Sequence, residues 1–169
     1  GCLVDRQIAA EKAWTIPYKI NNILGTLKIE KLYELSEEDW YQLFTENGLH
    51  RYNKDMSKVM YEGIKLLTEK YQSNPKKLWN DNPTSSTAVN RFKEFYGVGE
   101  KIGTMAVNIL ERDFKIPSKD RKDIDISPDI QVLKVFKRLG LVDDDKNISH
   151  VIWSVDIRCK DCFYIKIPL

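Results

Sequence analysis

Apolar residues recur every three or four positions along most of this chain of 169 residues, whereas the two-residue alternation typical of strands is scarce. In the segment 57–71, for example, Val59, Ile64 and Tyr71 fall on one helical stripe, and lysines and glutamates fill the other faces. The same spacing recurs in three further segments, at 8–22, 101–113 and 130–139. The pattern predicts an all-α protein built from amphipathic helices.

Residues typical of helix ends separate these segments. Ser36 precedes three acidic residues and is expected to cap a helix, and Ser85 or Ser86 is expected to cap another. The run S-P-D at 127–129 places an N-cap serine, a first-turn proline and an acid in the order that starts a helix. Pro17 is expected to kink or end the first helix.

Length and composition limit the chain to one or two small domains with a sizeable core. Hydrophobic residues make up 42% and charged residues 31%, as is ordinary for a soluble globular protein. We expect a two-lobed helical bundle, with one lobe over 1–113, a second over 114–169 and a cleft between them. No run is apolar enough to cross a membrane and no signal peptide is visible, so we expect an intracellular, cytoplasmic protein without a membrane partner.

A glycine turn connects two of the expected helices. Residues 95–107 have the sequence F-Y-G-V-G-E-K-I-G-T-M-A-V, in which Gly97, Val98 and Gly99 predict a tight turn. Glycines allow positive φ and leave backbone N–H groups uncovered, so the helix that follows can face an anion with its N-terminus. The same turn also suits a plain connector between helices, which is a common use of such a sequence.

The run F-Y-G-V-G-E-K at 95–101, together with P-D-I-Q-V-L-K-V at 128–135, resembles the helix-hairpin-helix DNA glycosylases of the endonuclease III superfamily, also called HhH-GPD. Gly48–Lys54 resembles the family segment that leads into the helix before the hairpin. Three positions depart from the usual pattern: Gln131 replaces a histidine, Ile102 a threonine and Tyr96 a proline. The resemblance implies an all-α fold that ends its first lobe with the hairpin and flips a damaged base into the interdomain cleft.

The resemblance also assigns roles to individual residues. Lys101 takes the place of the nucleophile, whose amine attacks the sugar C1′, displaces the base and forms a Schiff base. Asp129, 28 positions later, takes the place of the catalytic aspartate, which stabilises the positive charge that develops at the sugar. Taken by themselves, the two residues also suit a surface lysine that contacts phosphate and an acid that stabilises a helix start.

Six residues are expected to contact DNA on the same grounds. They are Gly97, Val98, Gly99, Gln7, His50 and Arg51. The two glycines and the valine between them would donate backbone N–H groups to a phosphate, and Gln7 would fill the gap left by the extruded base. His50 and Arg51 would contact DNA or shape the lesion pocket, although a surface turn explains both equally well.

The cysteines leave the cofactor open. Cys159 and Cys162 form a C-x-x-C that suits half a metal site, a redox pair or two ordinary thiols. A [4Fe-4S] cluster needs four thiolates, so we expect one only if the protein carries further cysteines outside this sequence, and otherwise no cofactor. The apolar start at Gly1–Val4 leads us to expect that part of a longer protein precedes it.

The resemblance therefore implies a base-excision repair glycosylase with AP-lyase activity. We expect it to act as a monomer on double-stranded DNA that carries a damaged base, in association with the nucleoid. The formal net charge of +2 neither requires nor excludes DNA binding, because binding can depend on one local basic face of a nearly neutral protein. Two alternatives stay open: a non-catalytic helix-hairpin-helix DNA-binding module, and an all-α interaction domain without a nucleic-acid role. The sequence does not indicate which lesion is excised.

Overall fold

The computed structural model describes residues 1–120, 130–140 and 142–143. Every regular element in these ranges is helical, so the all-α prediction is confirmed for this part of the chain. The α-helices are α1 (Ala10–Leu24), α2 (Ile29–Tyr33), α3 (Glu37–Glu46), α4 (Asn53–Glu69), α5 (Ser85–Lys93), α6 (Glu100–Arg112) and α7 (Ile130–Arg138). Short 3₁₀ turns lie at Cys2–Val4 and Pro75–Leu78. None of the described helices is long and apolar enough to span a bilayer.

The helix ends confirm some of the predicted caps and correct others. Ser36 caps α3 in a reciprocal capping box: its hydroxyl accepts from the Asp39 N–H, and the Asp39 carboxylate accepts from the Ser36 N–H. The cap of α5 is Thr84, not Ser85 or Ser86, because the Thr84 hydroxyl accepts from the Thr87 N–H at 3.2 Å.

Two further helix boundaries follow from the backbone. Pro17 lies inside α1 and does not end it. The last described helix, α7, ends before Gly140, which has a φ of 64° and whose N–H donates to the Lys137 carbonyl. Glycine tolerates this left-handed conformation, so the predicted stop at Gly140 is confirmed.

The main core lies between α1, α3 and α4. Trp40 and Phe44 on α3 are fully buried and pack with Ile16, Ile20 and Val59. A second cluster joins the end of α4 to the segment between α5 and α6, and it consists of Tyr71, Leu78, Phe95 and Val98. Because Phe95 and Val98 flank Gly97 in this second cluster, apolar burial holds both sides of the glycine turn in place.

The segment after α6 lies against the hairpin helices. Lys119 donates its backbone N–H to the carbonyl of Pro83, and Ser85 donates to the Asp120 carboxylate. Residues up to 120 thus belong to the packing of α5 and α6. Of the second lobe, predicted over 114–169, the structure describes residues 114–120, 130–140 and 142–143, and Leu133 packs against Val142. The two-lobe division stays a prediction.

We predict that Thr84→Ala lowers the free energy of unfolding by about 1 kcal/mol, because the Thr87 N–H loses its acceptor. Ser86→Ala is the matched control: Ser86 is exposed within α5, and alanine has the higher helix propensity there. Urea unfolding followed by circular dichroism measures both. A larger loss for Ser86→Ala than for Thr84→Ala would contradict the assigned cap.

Candidate nucleic-acid interface

The turn between α5 and α6 adopts the tight conformation that its glycines predict. Gly97 has a φ of 78°, in the left-handed region that favours glycine. The Val98 N–H donates to the Phe95 carbonyl at 2.9 Å and closes the turn, while the Val98 side chain is buried. Gly99 then caps α6, since its carbonyl accepts from the Gly103 N–H at 3.0 Å.

Only part of the predicted set of phosphate donors keeps its N–H groups available. The N–H groups of Gly97 and Gly99 have no acceptor among the residues that the structure describes, whereas the Val98 N–H is already used inside the turn. Val98 therefore anchors the turn and does not offer its N–H to a ligand. The two glycine N–H groups lie at the N-terminus of α6, where the helix dipole favours an anion.

Lys101 occupies the first turn of α6, two residues beyond Gly99, and it is exposed. The described residues thus do not bury its side chain. Its neighbour Glu100 forms an ion pair with Lys93 of α5 at 2.5 Å, so the only acid in the first turn of α6 is paired across the hairpin.

The N-terminal segment lies directly against the glycine turn. A Cβ atom on Gly97 would lie 2.6 Å from Nη2 of Arg6, closer than real atoms approach, so the guanidinium occupies the space that a side chain would need. Beside this contact is a cavity of about 400 Å³, lined among others by Gln7, Tyr52 and Tyr96. The fold therefore brings Gln7 to the hairpin, from a position far away in the sequence.

Gln7 is held by the two residues that precede α4. Its side-chain Oε1 accepts from the Tyr52 hydroxyl at 2.8 Å, and its backbone carbonyl accepts from Arg51 Nη1 at 3.5 Å. The Arg51 guanidinium lies over the Tyr52 ring, 4.8 Å from its centroid, in cation–π geometry. Gln7 and Arg51 are both exposed, so the structure groups two predicted DNA contacts on one surface.

His50 departs from the expectation of direct DNA contact, because its side chain is only 2% exposed. Its Nδ1 accepts from the Tyr52 N–H at 3.0 Å, and its own backbone N–H donates to Asn53 Oδ1. Burial lowers the pKa of His50 below its ordinary value of 6.5, and the backbone of Arg6 and Val4 offsets part of this shift. The ring atom Nε2 makes no hydrogen bond of normal geometry to the described residues. His50 therefore shapes the turn before α4 as a neutral imidazole.

Sequence reasoning missed three contributors to this surface. Arg6 carries no motif and is signalled only by its neighbour Gln7. Tyr52 lies in the segment Gly48–Lys54 beside Arg51, but the resemblance gives it no role of its own. Tyr96 stands out in the sequence only as a departure from the family pattern, yet it lines the cavity and is 52% exposed, with Lys58 Nζ 5.2 Å from its ring centroid.

Three of the predicted site residues lie outside the described residues: Asp129, Cys159 and Cys162. Within the described ranges no group of three or more histidine, cysteine or acidic side chains could hold a metal ion. Because Cys159 and Cys162 lie outside these ranges, the iron–sulfur cluster stays a prediction. No protein-family model, curated protein or solved structure matches the chain.

We predict that Gly97→Ala is more harmful than Gly99→Ala. At Gly97 an alanine would adopt a left-handed φ, at a cost of roughly 1–2 kcal/mol, and would displace Arg6; at Gly99 the φ is −96° and no atom lies within 4 Å of an added Cβ. Urea unfolding checks the stability, and DNA binding by fluorescence anisotropy checks the interface. Equal effects of the two substitutions would contradict the described turn.

We predict that the free energy of unfolding falls as the pH is lowered from about 7.5 to about 5.5. In the unfolded chain His50 binds a proton near the ordinary histidine pKa of 6.5. In the folded chain the pKa of His50 is lower, so a proton binds the unfolded chain more readily and acidification favours unfolding. His50→Gln should flatten this dependence, and His150→Gln is the matched control for the second histidine. An unchanged slope in His50→Gln would contradict a neutral, buried His50.

Proposed function

We propose that the protein is a base-excision DNA glycosylase with AP-lyase activity, which acts as a monomer on double-stranded DNA. The observation that carries the proposal is the arrangement around the glycine turn. An exposed lysine follows two glycine N–H groups at the N-terminus of α6, and Arg6 brings Gln7 to the same turn. This combination matches the hairpin features that the resemblance to the helix-hairpin-helix glycosylases assigns to DNA contact and catalysis.

The hairpin supplies a means of holding the DNA backbone. The N–H groups of Gly97 and Gly99 lack internal acceptors in the described residues, and a phosphate oxygen is the kind of acceptor that a helix N-terminus favours. Since Glu100 is paired with Lys93, its carboxylate opposes an approaching phosphate less than an unpaired acid would. Phosphate contacts of this kind position a strand without reading its sequence.

Lys101 would then act on the sugar of an extruded nucleotide. Its amine nitrogen attacks C1′, the bond from C1′ to the base breaks, and the base leaves with the bonding electrons. Opening of the sugar ring gives a Schiff base, from which elimination cleaves the strand. The attack needs the lone pair of the amine nitrogen. Asp129 is proposed to stabilise the positive charge on the sugar and to accept the proton that the amine loses.

The non-catalytic DNA-binding module is the second candidate, and the exposure of Lys101 favours it. An exposed lysine beside two glycine N–H groups is sufficient to contact phosphate without any covalent step. Neither candidate requires the [4Fe-4S] cluster, whose proposed ligands Cys159 and Cys162 take no part in the steps above. The cytoplasmic, nucleoid-associated location remains part of the proposal.

We predict that sodium borohydride traps the wild-type protein on duplex DNA that carries one abasic site, and that Lys101→Gln reduces trapping to background. Lys31→Gln is the matched control, because Lys31 is exposed on α2 and pairs only locally with Glu34. The Schiff base requires the Lys101 nitrogen, whereas the charge lost is the same in both variants. Adducts are counted on a denaturing gel.

The same gel separates the candidates. Trapping that persists in Lys101→Gln would overturn the role of Lys101 as nucleophile. If the wild type binds the duplex yet never forms an adduct, lyase chemistry is excluded and the second candidate is favoured.

A further inference from the structure

His50 lies between two segments that meet at the candidate interface. Its ring atom Nδ1 accepts from the backbone N–H of Tyr52 at 3.0 Å, and the ring is also next to the backbone of Val4 and Arg6. The ring therefore joins the turn before α4 to the N-terminal segment. Because its side chain is only 2% exposed, a change in the ring affects both segments.

The hydrogen bond to Tyr52 requires an unprotonated Nδ1. A backbone N–H group can only donate, so the ring nitrogen that faces it must carry a lone pair. Protonation of Nδ1 would set two N–H groups against each other at a distance of 3.0 Å, and the hydrogen bond would be lost. The conformation of the turn at 50–52 therefore depends on a neutral ring.

The surroundings of His50 oppose a positive charge on the ring. Among the described residues, the charged groups that act on it are Lys12 of α1 and Arg51 of the turn, and both are cations. The backbone of Val4 and Arg6 raises the pKa of the ring, but burial outweighs this effect and the pKa is lowered overall. A charged ring is costly to bury without acceptors, so a protonated His50 is expected to turn toward solvent.

The turn that His50 stabilises holds Gln7 by two contacts. Arg51 Nη1 donates to the Gln7 carbonyl at 3.5 Å, and the Tyr52 hydroxyl is hydrogen-bonded to the Gln7 side chain at 2.8 Å. Gln7 has a φ of 51°, a left-handed conformation that residues other than glycine rarely adopt and that persists where contacts maintain it. Loss of the turn would free Gln7 to leave this conformation.

Buried apolar side chains limit how far an opening of the turn can spread. Leu49 and Met56 border the turn and are buried in the main core, as is Val4 in the N-terminal segment. Their apolar contacts do not depend on the charge of His50. The helices are therefore expected to stay packed while residues 50–52 move.

We propose that His50 is a pH-sensitive switch: its protonation opens the turn at 50–52 and releases Gln7 from Arg51 and Tyr52, while the helical core stays folded. The arrangement of these three residues is complete at neutral pH and is lost in acid. The switch is a property of the chain alone, and it requires neither DNA nor catalysis by Lys101.

The test is amide hydrogen exchange of the Tyr52 N–H in the whole chain, followed by NMR at about pH 7.5 and about pH 5.5 and corrected for the intrinsic pH dependence of exchange. One proton taken up with a histidine pKa of about 6.5 increases the opening equilibrium by at most about tenfold over this interval. We expect an increase of about three- to tenfold. The Thr87 N–H, which the non-titrating Thr84 hydroxyl holds, is the control amide and should show no increase.

His50→Asn separates protonation from loss of the ring. Asparagine offers an uncharged carbonyl oxygen as the acceptor, so the Tyr52 N–H should stay protected at both pH values. His150→Asn, which changes the second histidine, should keep the full wild-type response. An increase in Tyr52 exchange that persists in His50→Asn would overturn the switch, and so would a wild-type opening equilibrium that does not change with pH.

Urea distinguishes a local opening from unfolding. Urea below the unfolding transition should leave the exchange of the Tyr52 N–H unchanged, because a local opening exposes little surface. The Trp40 N–H, which donates to the Ser36 carbonyl in α3, reports on the core. If Tyr52 exchange rises with urea as steeply as Trp40 exchange, the chain unfolds globally and the proposal is overturned.

A titration of the wild type covers the case in which His50→Asn does not fold. The NMR chemical shifts of the His50 ring and of the Tyr52 N–H are followed over the same pH range. One shared midpoint supports the switch, because one proton then controls both groups. Two different midpoints would overturn it.

Discussion

The close contact between Arg6 and Gly97 is the constraint on which the candidate site depends. Position 97 carries no side chain, and the Arg6 guanidinium occupies the space beside the hairpin turn that one would need. Arg6 and Gly97 both line the cavity that includes Gln7, Tyr52 and Tyr96. The burial of Phe95 and Val98 holds the other side of the turn, so apolar packing and one guanidinium together define its position.

The surface built on this contact is basic only locally. Arg6, Arg51 and Lys58 form no ion pair with the described residues, and the last two lie over tyrosine rings instead of carboxylates. A cation over an aromatic face keeps its full formal charge, whereas a cation in an ion pair is largely neutralised. Three cations thus lie around this cavity in a chain with a net charge of +2, and the Asp55 carboxylate lies in the cavity lining beside them.

The sequence predicted the features that depend on local spacing. The helices follow from the period of their apolar residues, and the glycine turn follows from Gly97 and Gly99, whose conformational freedom is a property of the residue type. The cap of α5 differs from the predicted one because Thr84, Ser85 and Ser86 are consecutive hydroxyl residues with similar capping propensity. The Ser85 hydroxyl donates to Asp120 instead of capping the helix.

The candidate site was only partly predictable, because its contacts join residues far apart in sequence. No spacing rule connects Gln7 to Tyr52, and the burial of His50 depends on how the N-terminal segment covers the start of α4.

One consequence of the contact between Gln7 and Tyr52 concerns the entropy of ligand binding. Because Gln7 and Tyr52 are already hydrogen-bonded to each other in the unliganded chain, a ligand that keeps this contact has less side-chain freedom to order, and more of its contact energy remains as affinity.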